Sequence, residues 1–313
     1  MDGTFSHIPV LFNETINALN IKPDGVYVDC TAGGGGHSAG ILSHLSENGR
    51  LIAIDRDPDA VAVLNGRFAG DRRVTVVKSN YTAIRDVLSN LSLGSADGIL
   101  ADLGVSSYQL DTPERGFSFH NDAPLDMRMS REGISAYDVV NTYSEERLTD
   151  ILFRYGEEKF ARSIAHKIVL QREEKPVETT LELSDIIAGS VPMKVRREGH
   201  PARKSFQAIR IEVNGELTGL ENAVTDMFAM LSLGGTLAII TFHSLEDRIV
   251  KEYFKSLTEG CICPKEFPVC ICGRTPRAKA GKSITASAKE LEENPRSRSA
   301  KLRTAVKLKT EDE

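Results

Sequence analysis

No stretch of the 313 residues approaches the roughly 18 consecutive apolar side chains that a membrane-spanning helix needs, so no membrane partner is expected. The opening "MDGTFSHIPVLFNE" lacks both the basic and the apolar region of a secretory signal. Cysteine is scarce: five are present, four of them crowded between 261 and 272, unlike the disulfide framework of a secreted chain. These absences together point to the cytoplasm. Excess positive charge is also missing, the net charge being −5, so any attraction for a polyanion has to be local. What remains is an ordinary globular composition, 41% hydrophobic, with length for one large domain or a domain carrying an insertion.

The segments 25–31, 49–57, 73–80 and 96–104 are short, rich in β-branched residues and bounded by turn residues, which predicts four buried strands. Helical segments fall between them at 37–45, at 59–68 with Asp59 placed to cap it, and at 82–91. Strands alternating with helices at this spacing predict an α/β fold built on a doubly wound, mostly parallel sheet. The rhythm breaks after "ADLGVSSYQLD". Residues 111–204 are polar and helix-like, and the strand pattern returns only at "GGTLAIITFHS", 234–244. A helical domain over 111–204, inserted between two parts of one α/β domain, 1–110 and 205–313, is the simplest arrangement. A helix follows the returning strand, "AKLRTAVKLK" reads as a last strand, and 274–303 reads as loop with partial order.

Four consecutive glycines, Gly33 to Gly36, stand between the first strand and its helix in "VDCTAGGGGHSAGILSHL". Glycine there permits positive φ and close approach of a ligand to the backbone. No Gly-Lys-Ser/Thr follows, which excludes a phosphate-cradling P-loop. A dinucleotide pattern, Gly34-x-Gly36-x-x-Ala39, fits; so does S-adenosylmethionine, and so does a tight turn with no ligand. Asp55 ends the second predicted strand, 20 residues beyond Gly35, where a carboxylate can accept both hydroxyls of an adenosine ribose. Helix capping, shared with Asp57 and Asp59, is the plainer use of that carboxylate. Asp102 ends the fourth strand, where methyltransferases of exocyclic amines place a hydrogen-bond acceptor for the amine. A dehydrogenase would want a proton donor instead, and Tyr108 and His120 are nearby in sequence.

Eight segments then occur in order: "HIPVLFNE" (7–14), "GGGHS" (34–38), "DLGVSSYQLD" (102–111), "ERGFSFHNDAPLDMRM" (114–129), "YGEEKFARSIA" (155–165), "HPARKSFQAIRIEVNGEL" (200–217), "FHSLEDRIVK" (242–251) and "ENPRSRSAKLR" (293–303). Together they closely resemble the bacterial MraW family. Its members are S-adenosylmethionine-dependent methyltransferases of the cytosine N4 position in 16S ribosomal RNA of the small ribosomal subunit. The resemblance spans His7 to Arg303. It implies a Rossmann-like methyltransferase core with a helical insertion, and the position of that insertion makes it the candidate RNA clamp. It also implies cofactor contacts at Gly35, Gly36, His37, Asp55, Tyr81, Asp102 and Gln109; the residues themselves make Asp102 the first choice of catalytic acceptor for the target amine, with the cofactor's amino group as its alternative partner. One departure concerns the fourth strand: many amino-methyltransferases carry Asp/Asn-Pro-Pro-aromatic there, and this chain has Asp102-Leu103-Gly104-Val105. The aromatic that would stack on the target base is therefore elsewhere, with Tyr108, Phe117, Phe119 and His243 as candidates.

Cations concentrate in two places. Lys194, Arg196, Arg197, Arg203, Lys204 and Arg210 stand against one acid, Glu198, and the tail adds Arg296, Arg298, Lys301 and Arg303. In an acidic chain this reads as two phosphate-facing patches, with solvated helix faces as the alternative. Finally, Cys261, Cys263, Cys270 and Cys272 form two C-x-C pairs, a set able to hold a structural zinc in tetrahedral coordination. Two other functions use the same features: an NAD(P)-linked oxidoreductase, and a ribosome-assembly factor that binds RNA without methylating it.

Overall fold

The computed structural model describes residues 9–261, 263, 264 and 268–309. His7 and Ile8 of the first motif lie outside them. The chain begins with α1 (Phe12–Leu19) and then alternates strand and helix: β1 (Val26–Asp29), α2 (Gly36–Leu42), β2 (Arg50–Asp55), α3 (Pro58–Arg67), β3 (Val74–Lys78), α4 (Ile84–Asn90) and β4 (Ala96–Asp102). Residues 51–54 and 98–101 are short aliphatic runs in which nearly every residue is buried. That pattern belongs to parallel strands covered on both faces. β3 is half-exposed along its length and forms one edge of the sheet. Helix α3 starts one residue earlier than its periodicity suggests, because Pro58 sets its first turn and the cap is Asp57. The Asp57 carboxylate accepts from the Asp59 backbone N–H, so Asp59 is not the cap.

Among the described residues, eight α-helices separate β4 from the next strand, and the first seven are α5 (Ser107–Asp111), α6 (Ala136–Thr142), α7 (Glu145–Gly156), α8 (Ala161–Glu174), α9 (Thr180–Gly189), α10 (Met193–Glu198) and α11 (Arg203–Asn214). Ser135, Ser144 and Thr179 cap α6, α7 and α9 by accepting from backbone N–H groups three residues on. The chain then continues through α12 (Leu220–Ala229), β5 (Leu231–Thr241), α13 (Ser244–Thr258), β6 (Ala278–Ala280), β7 (Ile284–Thr285), α14 (Ala288–Glu293) and β8 (Lys301–Lys307).

Two compact units result. One comprises the chain up to Gly104 and from Thr218 onward; the other is Val105–Leu217. The second unit is larger than the expected insertion of 111–204. Val105 and Leu110 pack on its core, and α11 contributes Phe206, Ala208 and Ile209 to the same core as Leu148, Ile151 and Leu152 of α7. Burial of the apolar face of α11, invisible to composition, decides where the boundary falls.

In the first unit all eight strands form one sheet, ordered β3-β2-β1-β4-β5-β8-β6, with β7 also paired to β8. The first five are mutually parallel, and β8 runs antiparallel to β5 from Thr236↔Val306 to Thr241↔Lys301. Residues 274–303 are more ordered than expected, since β6 and β7 pair with β8 and α14 lies between them and β8 in sequence. The order of the parallel strands reverses between β1 and β4. Crevices outside the carboxyl ends of strands at such a reversal are where open α/β sheets bind ligands.

Candidate active site

Three aspartates end three adjacent parallel strands: Asp29 on β1, Asp55 on β2 and Asp102 on β4. Asp29 is buried and accepts from Ser38 Oγ at 2.7 Å and from the Thr31 N–H at 3.3 Å. Burial raises its carboxyl to about 6, opposed by these hydrogen bonds and reinforced by the nearby charge of Asp55. Asp55 accepts from the Gly33 N–H and the Asp57 N–H, both at 2.8 Å, and burial raises it as well. Its carboxylate therefore holds the glycine turn in place, with lone pairs left over for a ligand hydroxyl.

Asp102 is raised as well. Burial, then the charges of Asp29 and Glu246, push its carboxyl well above the usual carboxylate range. Its backbone N–H donates to Thr31 Oγ1 at 2.6 Å, tying β4 to the chain just past β1. The side chain is 28% exposed, and among the described residues its Oδ1 is buried with no hydrogen-bond partner. A buried acceptor atom left in that state marks a position where a ligand donor fits.

The glycines owe part of their identity to the protein's own packing. Gly33 and Gly35 have φ of 51° and 77°, in the left-handed region that glycine tolerates. A Cβ on Gly35 would lie 3.0 Å from both Leu64 and Phe68, and one on Gly36 would collide with the Pro9 ring. Gly34 is open on this count, with nothing within 4 Å of a built Cβ. Contacts within the fold thus require glycine at 35 and 36 in their own right. His37, the second residue of α2, is buried, with its ring 5.9 Å from that of Phe12 and its Nε2 4.0 Å from Asp102 Oδ2. Tyr81 opens a single 3-10 turn after β3 and is half-buried.

The sequence profile of the MraW methylase family matches residues 4–308. This chain belongs to that family. Among its relatives is the "Ribosomal RNA small subunit methyltransferase H" of Clostridium botulinum (strain Kyoto / Type A2), 55% identical over 307 residues, 97% of this chain and 99% of the relative. The protein of the same name from C. botulinum (strain 657 / Type Ba4) matches with the same identity and coverage.

In this MraW methylase Gln109 lies in the helical unit and completes a capping box on α5, its Oε1 accepting from the Ser106 N–H at 3.1 Å. The cation patches divide. Arg203 and Lys204 are exposed on the first turn of α11, Lys204 donating to the Glu157 carbonyl at 3.0 Å. Arg210 differs from these two: its guanidinium forms a bidentate pair with buried Glu216, both bonds 2.8 Å, within the helical unit. Lys301 and Arg303 are likewise held by Asp247, at 3.1 and 2.6 Å, whereas Arg296 and Arg298 are exposed on a 3-10 turn before β8.

Of the four aromatic candidates, Phe117 belongs to the helical unit's core, and His243 caps α13 through Glu246. Tyr108 is 51% exposed. Phe119 stacks on His200 with centroids 4.3 Å apart, and His120 packs on the other two rings at 4.4 and 5.6 Å. His200 is held below its usual range by burial and by His120. Sequence reasoning overlooked Asp29 and this aromatic cluster. An acid closing an otherwise apolar strand, "GVYVD", was the available signal for the first. The second is assembled from residues 80 positions apart in the chain and had none.

Proposed function

We propose that this protein transfers a methyl group from S-adenosylmethionine to the exocyclic N4 amine of a cytidine in 16S ribosomal RNA, acting in the cytoplasm. The observation that carries the reading is the acidic lip at the strand reversal. The electrostatic neighbours that raise Asp102 are themselves acids, and Asp102 keeps an acceptor oxygen without a partner. A ligand bearing positive charge relieves that repulsion, whereas the pyrophosphate of a dinucleotide adds to it. S-adenosylmethionine carries a sulfonium and an amino group, and supplies an electrophilic methyl when bound.

Each side chain then has a task. Asp55 keeps the glycine turn in shape through Gly33 and offers its remaining lone pairs to ribose hydroxyls. Gly35, Gly36 and His37 form the wall of the turn, and Tyr81 and Gln109 are further cofactor contacts on this reading. Asp102 accepts a hydrogen from the target amine, whose lone pair is otherwise delocalised into the pyrimidine ring. Alignment and exclusion of water supply most of the rate; no strong nucleophile has to be generated.

The RNA partner suits the exposed Arg203, Lys204, Arg296 and Arg298, and the helical unit is the proposed clamp. Its half-buried Phe119, backed by His200, offers a stacking face for an unstacked base. The test is methyl mapping by mass spectrometry on 16S ribosomal RNA from a deletion strain, before and after complementation. One N4-methyl on one cytidine should vanish and return. An unchanged methyl pattern, or calorimetry that finds affinity for NADH and none for S-adenosylhomocysteine, overturns the assignment.

A further inference from the structure

Residues 259–276 join α13 to β6 and contain no buried residue among those described. Val269 and Ile271 are 69% and 75% exposed, so no apolar core is formed by the described residues of the excursion. Its base is pinned by the Arg277 N–H, which donates to the Leu257 carbonyl at 2.8 Å. Ordering a chain segment costs conformational entropy, and none of the described residues is buried to offset it.

What does converge is sulfur. One Sγ from each of Cys261, Cys263, Cys270 and Cys272 falls within 4.8 Å of the other three. Cys270 and Cys272 are 3.6 Å apart and Cys272 and Cys261 3.8 Å apart, sulfur to sulfur. A tetrahedral zinc with bonds near 2.3 Å requires sulfurs about 3.8 Å from one another. A disulfide would need them at roughly 2 Å. Two backbone N–H groups also point at sulfur: Cys263 N–H at Cys261 Sγ and Ile271 N–H at Cys263 Sγ, each at 3.4 Å. A neutral thiol is a weak acceptor, and a metal-bound thiolate a far better one.

We propose that Cys261, Cys263, Cys270 and Cys272 bind one structural zinc ion, which cross-links the excursion between α13 and β6. Binding forms four Zn–S bonds and releases the thiol protons to solvent, with no change of oxidation state. Four cysteines fill the tetrahedron and leave no open position, so the ion takes no part in methyl transfer. The proposal is independent of the assigned reaction.

Zinc content decides it, measured by plasma mass spectrometry on the full chain purified without a polyhistidine tag or added metal. One zinc per chain is expected, with the four clustered thiols unreactive toward a disulfide reagent until a strong chelator is added. Cobalt substitution should give the thiolate charge-transfer and intense d–d bands of a tetrahedral sulfur site. A Cys261→Ser/Cys272→Ser variant should lose the metal and become protease-sensitive within 259–276. It should retain its far-UV dichroism and its affinity for S-adenosylhomocysteine. Less than a tenth of a zinc per chain with four freely reactive thiols, or disulfides found by peptide mass, overturns the proposal.

Discussion

His37 Nε2 lies 4.0 Å from Asp102 Oδ2, bringing the first turn of α2 to the end of β4 across the point where strand order reverses. The separation is too long for a hydrogen bond. Both residues lie within family motifs, yet they are 65 positions apart, and only the parallel pairing of β1 with β4 makes them neighbours.

Asp102→Asn is expected to slow single-turnover methylation by about 100-fold, the range typical of a lost acid–base group. Stability should not fall, because the amide removes a charge that Asp29 and Glu246 oppose. In the wild type the rate should rise with pH as the raised carboxyl ionises and becomes a full acceptor. The variant should lack that limb. Rapid-quench rates across pH, together with urea melts, measure both effects. An unchanged rate removes Asp102 from the chemistry.

Asp29 makes a stability prediction whose sign follows from its raised pKa. The native state holds the proton up to about pH 6, whereas the unfolded chain releases it near 3.8. Native protein is therefore favoured by protonation at low pH, and that contribution is lost as pH rises from about 4 to about 6. A shift of this size corresponds to roughly 3 kcal/mol. Subtracting the stability curve of Asp29→Asn from that of the wild type should leave a slope confined to this window. A flat difference would show that Asp29 titrates normally.

Removing the Asp55 carboxylate withdraws the acceptor of the Gly33 and Asp57 N–H groups along with any ribose contact. Asp55→Ala should weaken S-adenosylhomocysteine binding by about 10- to 100-fold, the equivalent of one charge-assisted hydrogen bond. RNA affinity should stay within a factor of two. Calorimetry and filter binding read the two separately, and equal cofactor affinity would restrict Asp55 to holding the turn.

The basic residues of α11 should behave in two ways. Arg203→Ala with Lys204→Ala should reduce the slope of log affinity for RNA against log salt by roughly 1–2. Arg210→Ala should leave that slope alone and cost about 3 kcal/mol of stability instead, because it takes a bidentate cationic partner from the buried Glu216 carboxylate. A salt slope that falls on Arg210→Ala would return that residue to the RNA-binding set.

The alternating aliphatic segments were enough to specify five parallel strands and a helical insertion, because strand and helix periodicity are local properties of the chain. Motif order likewise carried the family, and the glycine run marked the turn after β1. Three matters were not local. Arg210 reads as one more cation in a basic stretch, and only folding brings Glu216 to it at 2.8 Å. The domain boundary moved from 204 to 217 because the apolar face of α11 packs on α7, and a partner for an amphipathic face cannot be named from periodicity. Carboxylate pKa values depend on burial and on neighbours from other strands, so Asp29, Asp55 and Asp102 look alike as letters. Their differences arise only when the sheet sets them side by side, Asp29 buried and the other two partly so.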